Sequence, residues 1–251
     1  MPKRLFRKPR ILVLCGSFEA HVLIETLTRE GFQVVASIGP ERECYDAPIA
    51  DEARGGFAGA EGLMTALKWR RFDAVIDACP PFDGETANAA HVACAALGAP
   101  LLRLRRPAWS LDAWPNIRRV DDAGHAAKEV QIFSRVFLDV GRRDIIAFQQ
   151  RRDTWFLARL HTPVRGRFPL PRGDFAVGKP PFTRAHEVTL LRDYRIRQLV
   201  LRDEGGEIGR SSLDAAAELD LPVILINRPG VPNGPIATTP QEAVDWVRRR
   251  V

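Results

Sequence analysis

Residues 11–20 read "ILVLCGSFEA". Four apolar residues run into Cys15-Gly16-Ser17, and the acid Glu19 follows almost at once. Beyond it Ala20, Leu23, Ile24 and Leu27 recur at helical spacing as far as Gly31, where a left-handed cap is expected. The stretch therefore reads as strand, tight turn and amphipathic helix. An apolar run without alternation is a strand buried on both faces, as in a parallel sheet. A run that stops on small, hydrogen-bonding residues raises the question of what the turn holds.

The pattern continues outward. Gln33–Ser37 is a second strand, residues 39–59 are irregular, and a helix over Glu61–Arg70 leads to the buried strand Ala74–Ala78. A helix with Ala90, Ala93, Cys94 and Leu97 on one face ends at Gly98, and Pro100–Leu104 is another strand. Prolines 107 and 115 and tryptophans 109 and 114 then break the pattern. The second half repeats the logic, with strands at Arg135–Val140, Trp155–Leu160, Phe175–Val177, Gln198–Leu201 and, last, Pro222–Ile226. Between them lie an amphipathic segment at Arg142–Gln149, a helix at Thr183–Asp193 and one capped by Ser211 or Ser212; a terminal helix covers Pro240–Arg250. Alternating strands and helices specify parallel sheets covered on both faces. The expected fold is α/β, two Rossmann-like parallel-sheet domains at residues 1–130 and 131–251 with a cleft between them.

Composition narrows the function. The 251 residues suffice for two cores, and a hydrophobic content of 45% with 27% charged residues is that of a globular protein. The basic opening MPKRLFRKPR precedes too short an apolar run for a secretory signal, and no segment is long enough to span a membrane. Cysteines 15, 44, 79 and 94 form no CxxC pair, so neither zinc site nor disulfide framework is expected, and buried thiols in a reducing cytoplasm are. The five histidines lack metal-ligand spacing, so no metal is expected.

The net charge is +6, and only five of the 37 basic residues are lysines. Guanidinium forks pair carboxylates and phosphates bidentately, which suits a polyanionic ligand; an arginine-rich codon bias accounts for the same count. No RNA-recognition or zinc-finger motif is present, so nucleic acid is not an expected partner.

The turn at Cys15-Gly16-Ser17 falls at the carboxyl edge of its sheet, where backbone amides and a helix N-terminus favour an anion. Gly16 lets a phosphate approach and Ser17 offers a hydroxyl, although a small residue also serves packing alone there. An NAD site places an acid at the end of the second strand. Here Ala36-Ser37 ends that strand and Arg42 follows, which suits a 2′-phosphate; with Glu41 and Glu43 beside it, Arg42 also reads as part of an ordinary charged loop. The segment "DACPPFDGETANAAHVAC" leaves the strand ending at Ala78, again at the carboxyl edge. Its Asp77 and Asp83, with Asp203 in the second half, are the candidate acids; Asp77 equally serves to hold backbone amides.

Together these stretches resemble the precorrin-6A reductase family of cobalamin biosynthesis over nearly the whole chain. "ILVLCGSFEA" is similar to the family's strand followed by Gly-Gly-Thr-x-Glu-Ala, and "RGGFAG" at 54–59 to its glycine-rich loop. "DACPPFD" stands where the family has Asp-Ala-Thr-His-Pro-Phe/Tyr-Ala. "NAAHVACAALGAPLLRLRRPAW" follows the family run through Asn88, Gly98, Arg103, Arg106 and Trp109. "VFLDVGRRDIIAF" matches at Phe137, Leu138, Gly141 and Arg142, "GKPPF" at Gly178, Pro181 and Phe182, and the series closes at Arg228-Pro229. Departures fall at Cys15 for a glycine, Pro80 for the histidine, Arg202 for a lysine, Glu204 for a small residue and Ser212 for a lysine.

The resemblance implies an NADPH-dependent oxidoreductase that reduces precorrin-6A to precorrin-6B. It implies cofactor contacts at Cys15, Gly16, Ser17, Phe18, Glu19, Ser37, Arg42, Gly55, Gly56, Phe57 and Asp77. Contacts to the anionic tetrapyrrole are implied at Pro81, Phe82, Asn88, Arg103, Arg106, Gly141, Arg142, Phe182, Arg202, Gly205 and Gly206. Hand-over contacts with other pathway enzymes are the implied protein partners. The departures leave two alternatives, a related reductase of another polyanion and a non-catalytic tetrapyrrole or nucleotide binder.

Overall fold

A computed structural model of the chain describes residues 7–39, 50–111, 114, 116–163, 166–207 and 209–251. The chain divides into two compact units, Met1–Pro107 with Pro229–Val251, and Ala108–Arg228.

In chain order, the first unit holds β1 (Arg10–Cys15), α1 (Phe18–Arg29), β2 (Gln33–Ile38), β3 (Glu52–Gly55), α2 (Gly59–Arg70), β4 (Ala74–Ala78), α3 (Gly84–Leu97) and β5 (Leu101–Leu104). The second holds β6 (Ile117–Val120), α4 (Ala123–Glu129), β7 (Arg135–Asp139), a short 3-10 helix (Asp144–Phe148), β8 (Trp155–Leu160), β9 (Gly173–Val177), α5 (Arg184–Asp193), β10 (Gln198–Arg202), α6 (Arg210–Glu218) and β11 (Val223–Ile226). The chain then returns to the first unit as β12 (Ile236–Ala237) and α7 (Pro240–Arg250).

Both sheets are six-stranded and parallel, ordered β12-β5-β4-β1-β2-β3 and β6-β11-β10-β7-β8-β9. In the first, Val13 of β1 pairs with Ala36 on one side and Ile76 on the other. In the second, Val200 of β10 sits between Leu138 and Ile224. The strand order of the first sheet reverses between β1 and β4, which opens a crevice at their carboxyl ends.

The unalternating apolar run of β1 has its reason in two cores. Ile11, Val13 and Cys15 pack with Leu23, Ile24 and Leu27 of α1 and with Ala243, Val244 and Val247 of α7. Leu12 and Leu14 face the other way, onto Leu63, Leu67, Ala90 and Cys94. Ser17 caps α1 by accepting from the amide of Ala20, and Gly31 takes the left-handed conformation (φ 89°) that ends the helix region.

Several expectations need correction. The unit boundary is not at residue 130: β6 and α4 belong to the second unit, because β6 pairs with β11, and the C-terminal segment belongs to the first, because β12 pairs with β5. β3 lies inside the stretch read as irregular, and β12 follows the strand read as last. Both are too short to carry a period. α6 starts at Arg210 behind Gly209 (φ 71°), so neither Ser211 nor Ser212 is its cap. Among the described residues no helix is long and apolar enough to cross a membrane, and no group of His, Cys, Asp and Glu could hold a metal ion.

Candidate functional site

The crevice of the first unit begins where β1 turns into α1. Ser17 is buried; its amide donates to the Ala78 carbonyl (3.2 Å), tying the turn to the end of β4. The thiol of Cys15 donates to the Ser37 carbonyl (3.3 Å), and Glu19, in the first turn of α1, pairs with Nη1 of Arg106 (2.8 Å). Two residues assigned to different ligands, Glu19 to the cofactor and Arg106 to the substrate, are thus bonded to each other. Phe18 is half exposed.

At the end of β2, Ser37 is buried and its hydroxyl donates to the Gly55 carbonyl (3.5 Å). Ser37 and Ile38 end that strand, so among the described residues no carboxylate stands at its end, where a ribose 2′-hydroxyl would be held. Arg42 lies outside the described residues. A Cβ at Gly56 would reach 3.7 Å from the Ile38 carbonyl, one at Gly55 meets nothing, and Phe57 packs on the α2–α3 core beneath the guanidinium of Arg54 (4.3 Å).

The end of β4 carries the densest polar group. Asp77 is buried; its Oδ2 accepts from Nε of Arg103 (2.9 Å) and its Oδ1 from the amide of Cys79 (3.2 Å). Arg103 is itself buried and donates to the carbonyls of Pro232 (3.0 Å) and Ala87 (3.4 Å). Asp83 caps α3 through Oδ1, which accepts from the amide of Thr86 (3.1 Å), while its Oδ2 is buried with no hydrogen-bond partner among the described residues. Burial pushes the Asp83 carboxyl above its ordinary range; hydrogen bonds from the amide and the side chain of Thr86 oppose it, and Asp77 and Glu85 add smaller upward pushes. Burial likewise raises the Cys79 thiol well above its usual value. Asp77, Cys79, Pro81, Asp83 and Arg103 line one cavity of about 20 Å3. Phe82 is half-buried and Asn88 exposed on α3.

In the second unit the carboxyl edge is rich in guanidinium groups. Arg202, at the end of β10, donates to Asp144 (2.9 Å) and lies against Gly141, whose φ is 73°; Arg142 is exposed. Asp203 is buried with both oxygens engaged, Oδ1 by the amide of Trp109 (3.2 Å) and Oδ2 by Nη1 of Arg119 (3.0 Å). The Trp109 indole donates to the carbonyl of Gly206 (2.6 Å), and Gly205 and Gly206 both have positive φ. Arg228 donates to the carbonyls of Asp203 and Glu204, both at 2.7 Å. Asp203 therefore anchors the loop after β10 and the chain near Trp109. Phe182 stacks over the Arg159 guanidinium (4.0 Å), with the ring of His186 beside it (5.8 Å).

Sequence reasoning missed the buried trio of this unit. Glu187 receives Nη2 of Arg159 on both oxygens (2.7 Å each), and the Ser212 hydroxyl on Oε2 (3.0 Å). The signal was an arginine inside the otherwise apolar strand "WFLARL". The position of Ser212, where the resemblance expects lysine, faces a carboxylate already paired.

The model of the family described as "Precorrin-6x reductase CbiJ/CobK" matches residues 10–248. The precorrin-6A reductase of Mycobacterium tuberculosis (strain ATCC 25618 / H37Rv) is 39% identical over 242 residues, covering 95% of this chain and 97% of that protein. That of Rhodococcus erythropolis is 34% identical over 243 residues, covering 95% and 97%. The solved structure "CobK precorrin-6A reductase" superposes with a TM-score of 0.88 at 34% identity, covering 96% of this chain and 97% of that one. With a family model spanning nearly its full length, and relatives matched end to end above 30% identity, the chain belongs to the precorrin-6x reductase family.

Proposed function

We propose that the protein reduces precorrin-6A to precorrin-6B in cobalamin biosynthesis, with NADPH as the reductant. The single observation that supports a dinucleotide is the strand order of the first sheet, which reverses at β1 and β4 beside the N-terminus of α1. The donor chemistry at that edge fits the phosphorylated cofactor: Gly16 and Ser17 for the diphosphate, and a neutral Ser37 where an acid would repel a 2′-phosphate. Arg42, Gly55, Gly56 and Phe57 complete the proposed adenosine end.

Bound there, the nicotinamide supplies the hydride. The protein's own work is placement. Arg202, held by Asp144, and the exposed Arg142 stand at one sheet edge as bidentate partners for acetate and propionate carboxylates. Phe182 offers a ring face at the same edge. Asp77 and Arg103 neutralise each other, so their part is to hold the β4–α3 loop in shape.

Titrating the purified protein with NADPH and then NADH, following tryptophan fluorescence, tests the cofactor; quenching by NADPH with little response to NADH is expected. Loss of NADPH absorbance on adding precorrin-6A then distinguishes an enzyme from a binder. No response to either nucleotide overturns the reading.

A further inference from the structure

Reducing a conjugated double bond requires a proton as well as a hydride, and the three carboxylates that the sequence sets at sheet edges are not equivalent. Asp77 and Asp203 have both oxygens engaged. Asp83 has one oxygen on the Thr86 amide and the other buried and unpartnered among the described residues, and the residue is only 4% exposed. Ionised, Asp83 carries a desolvated charge with donors from Thr86 alone and none on Oδ2; as a carboxylic acid it carries no buried charge. We propose that Asp83 holds, on Oδ2, the proton that completes the reduction, and releases it through the cavity at the end of β4. The inference rests on the reductase reading above.

Three observations carry it. The cavity beside Asp83 is about 20 Å3, enough for one water molecule, which needs roughly 10–15 Å3. The charged and titratable groups facing Asp83 among the described residues are Asp77 and Glu85, which disfavour its ionisation, Cys79, which stays a neutral thiol, and Arg103 and Arg105, of which Arg103 is already paired with Asp77. Burial holds the proton on Asp83 to a higher pH than an exposed aspartate keeps it, the direction a general acid requires.

The location agrees. β4, β5 and β12 form the second half of the reversed sheet, and in a dinucleotide fold that half takes the second nucleotide, here the nicotinamide. In the step, the Asp83 O–H bond breaks and its proton passes through water to the macrocycle carbon next to the one that accepts hydride from the nicotinamide. The electron pair of the reduced double bond forms the new C–H bond, and the carboxylate is reprotonated from solvent.

The test uses the full-length protein and Asp83→Asn, which removes the proton but keeps a good helix cap. A single-turnover rate lower by roughly 10²–10⁴ is expected, with precorrin-6A binding unchanged, loss of the alkaline limb of the pH–rate profile, and partial recovery in Asp83→Glu. Infrared spectra of the ligand-free wild type should contain a carboxylic-acid carbonyl band above the pH at which ordinary aspartates ionise, absent from Asp83→Asn. An active wild type with Asp83→Asn within about twofold of it and the same pH profile overturns the inference alone. A wild type that does not oxidise NADPH with precorrin-6A overturns the reductase reading and this inference with it.

Discussion

Arg202 lies flat against the backbone of Gly141: a methyl group at position 141 would stand 2.7 Å from its Cζ and 2.9 Å from its Nη2. Gly141 also has φ 73°, which a side chain tolerates poorly. Gly141→Ala should therefore lower stability by about 1 kcal/mol or more and push Arg202 off Asp144. In steady-state assays KM for the polycarboxylate substrate should rise more than kcat falls. Arg202→Lys, which removes the planar fork without the clash, should raise KM at unchanged thermal stability.

The Arg159–Glu187 pair has side chains 2% and 0% exposed. Glu187→Ala leaves a buried guanidinium between the rings of Phe137 and Phe182 with no counterion. Urea unfolding should show a loss of about 3–5 kcal/mol, against about 1 kcal/mol for Ser212→Ala, which removes one hydrogen bond to the same carboxylate.

Thiol chemistry follows from burial. Cys15, Cys79 and Cys94 are all buried; Cys94 is pushed up to about 12, chiefly by burial and then by Asp77, and Cys79 is raised as well. In a Cys44→Ser background no thiol should react with Ellman's reagent at pH 8 on the timescale of folded-state labelling, and all three should react once guanidinium unfolds the chain.

Asp83 makes stability depend on pH in the direction opposite to a salt-bridged aspartate. Its folded value lies above the usual 3.8, so between the unfolded and folded values the native state binds more protons. The stabilising effect of protonation is complete below 3.8 and is lost as pH rises through the folded value. Asp83→Asn should match the wild type in acid and exceed it in unfolding free energy at neutral pH, as denaturant curves across pH would record.

A chain ending at residue 228 would lack β12 and α7, and with them Ala243, Val244 and Val247, which are fully buried against α1. Calorimetry of that truncation should lose the transition of the first unit and keep that of the second.

The sequence made the repeated strand–helix alternation readable because β1, β4, β7 and β10 are buried on both faces and α1 and α5 carry side-chain caps. Short edge strands escaped it: Ile236–Ala237 is two residues long, and in Ile117–Val120 two exposed arginines interrupt the apolar pattern. At the site, Gly141 with Arg202 and Asp77 with Arg103 were named separately, and their pairing came only from strand register, which places the ends of neighbouring strands side by side. Asp77, Asp83 and Asp203 looked alike in sequence. What separates them is the donor beside each oxygen, a property of distant residues such as Arg103 and Arg119.

The return of the last 23 residues to the first unit has a consequence for synthesis on the ribosome. The second unit is continuous in the chain and can finish folding as soon as Arg228 clears the exit tunnel. The first, although translated earlier, must wait with an uncovered edge at β5 until β12 and α7 emerge, so nascent chains pass through an interval in which the later-made half is native and the earlier-made half is exposed to chaperones.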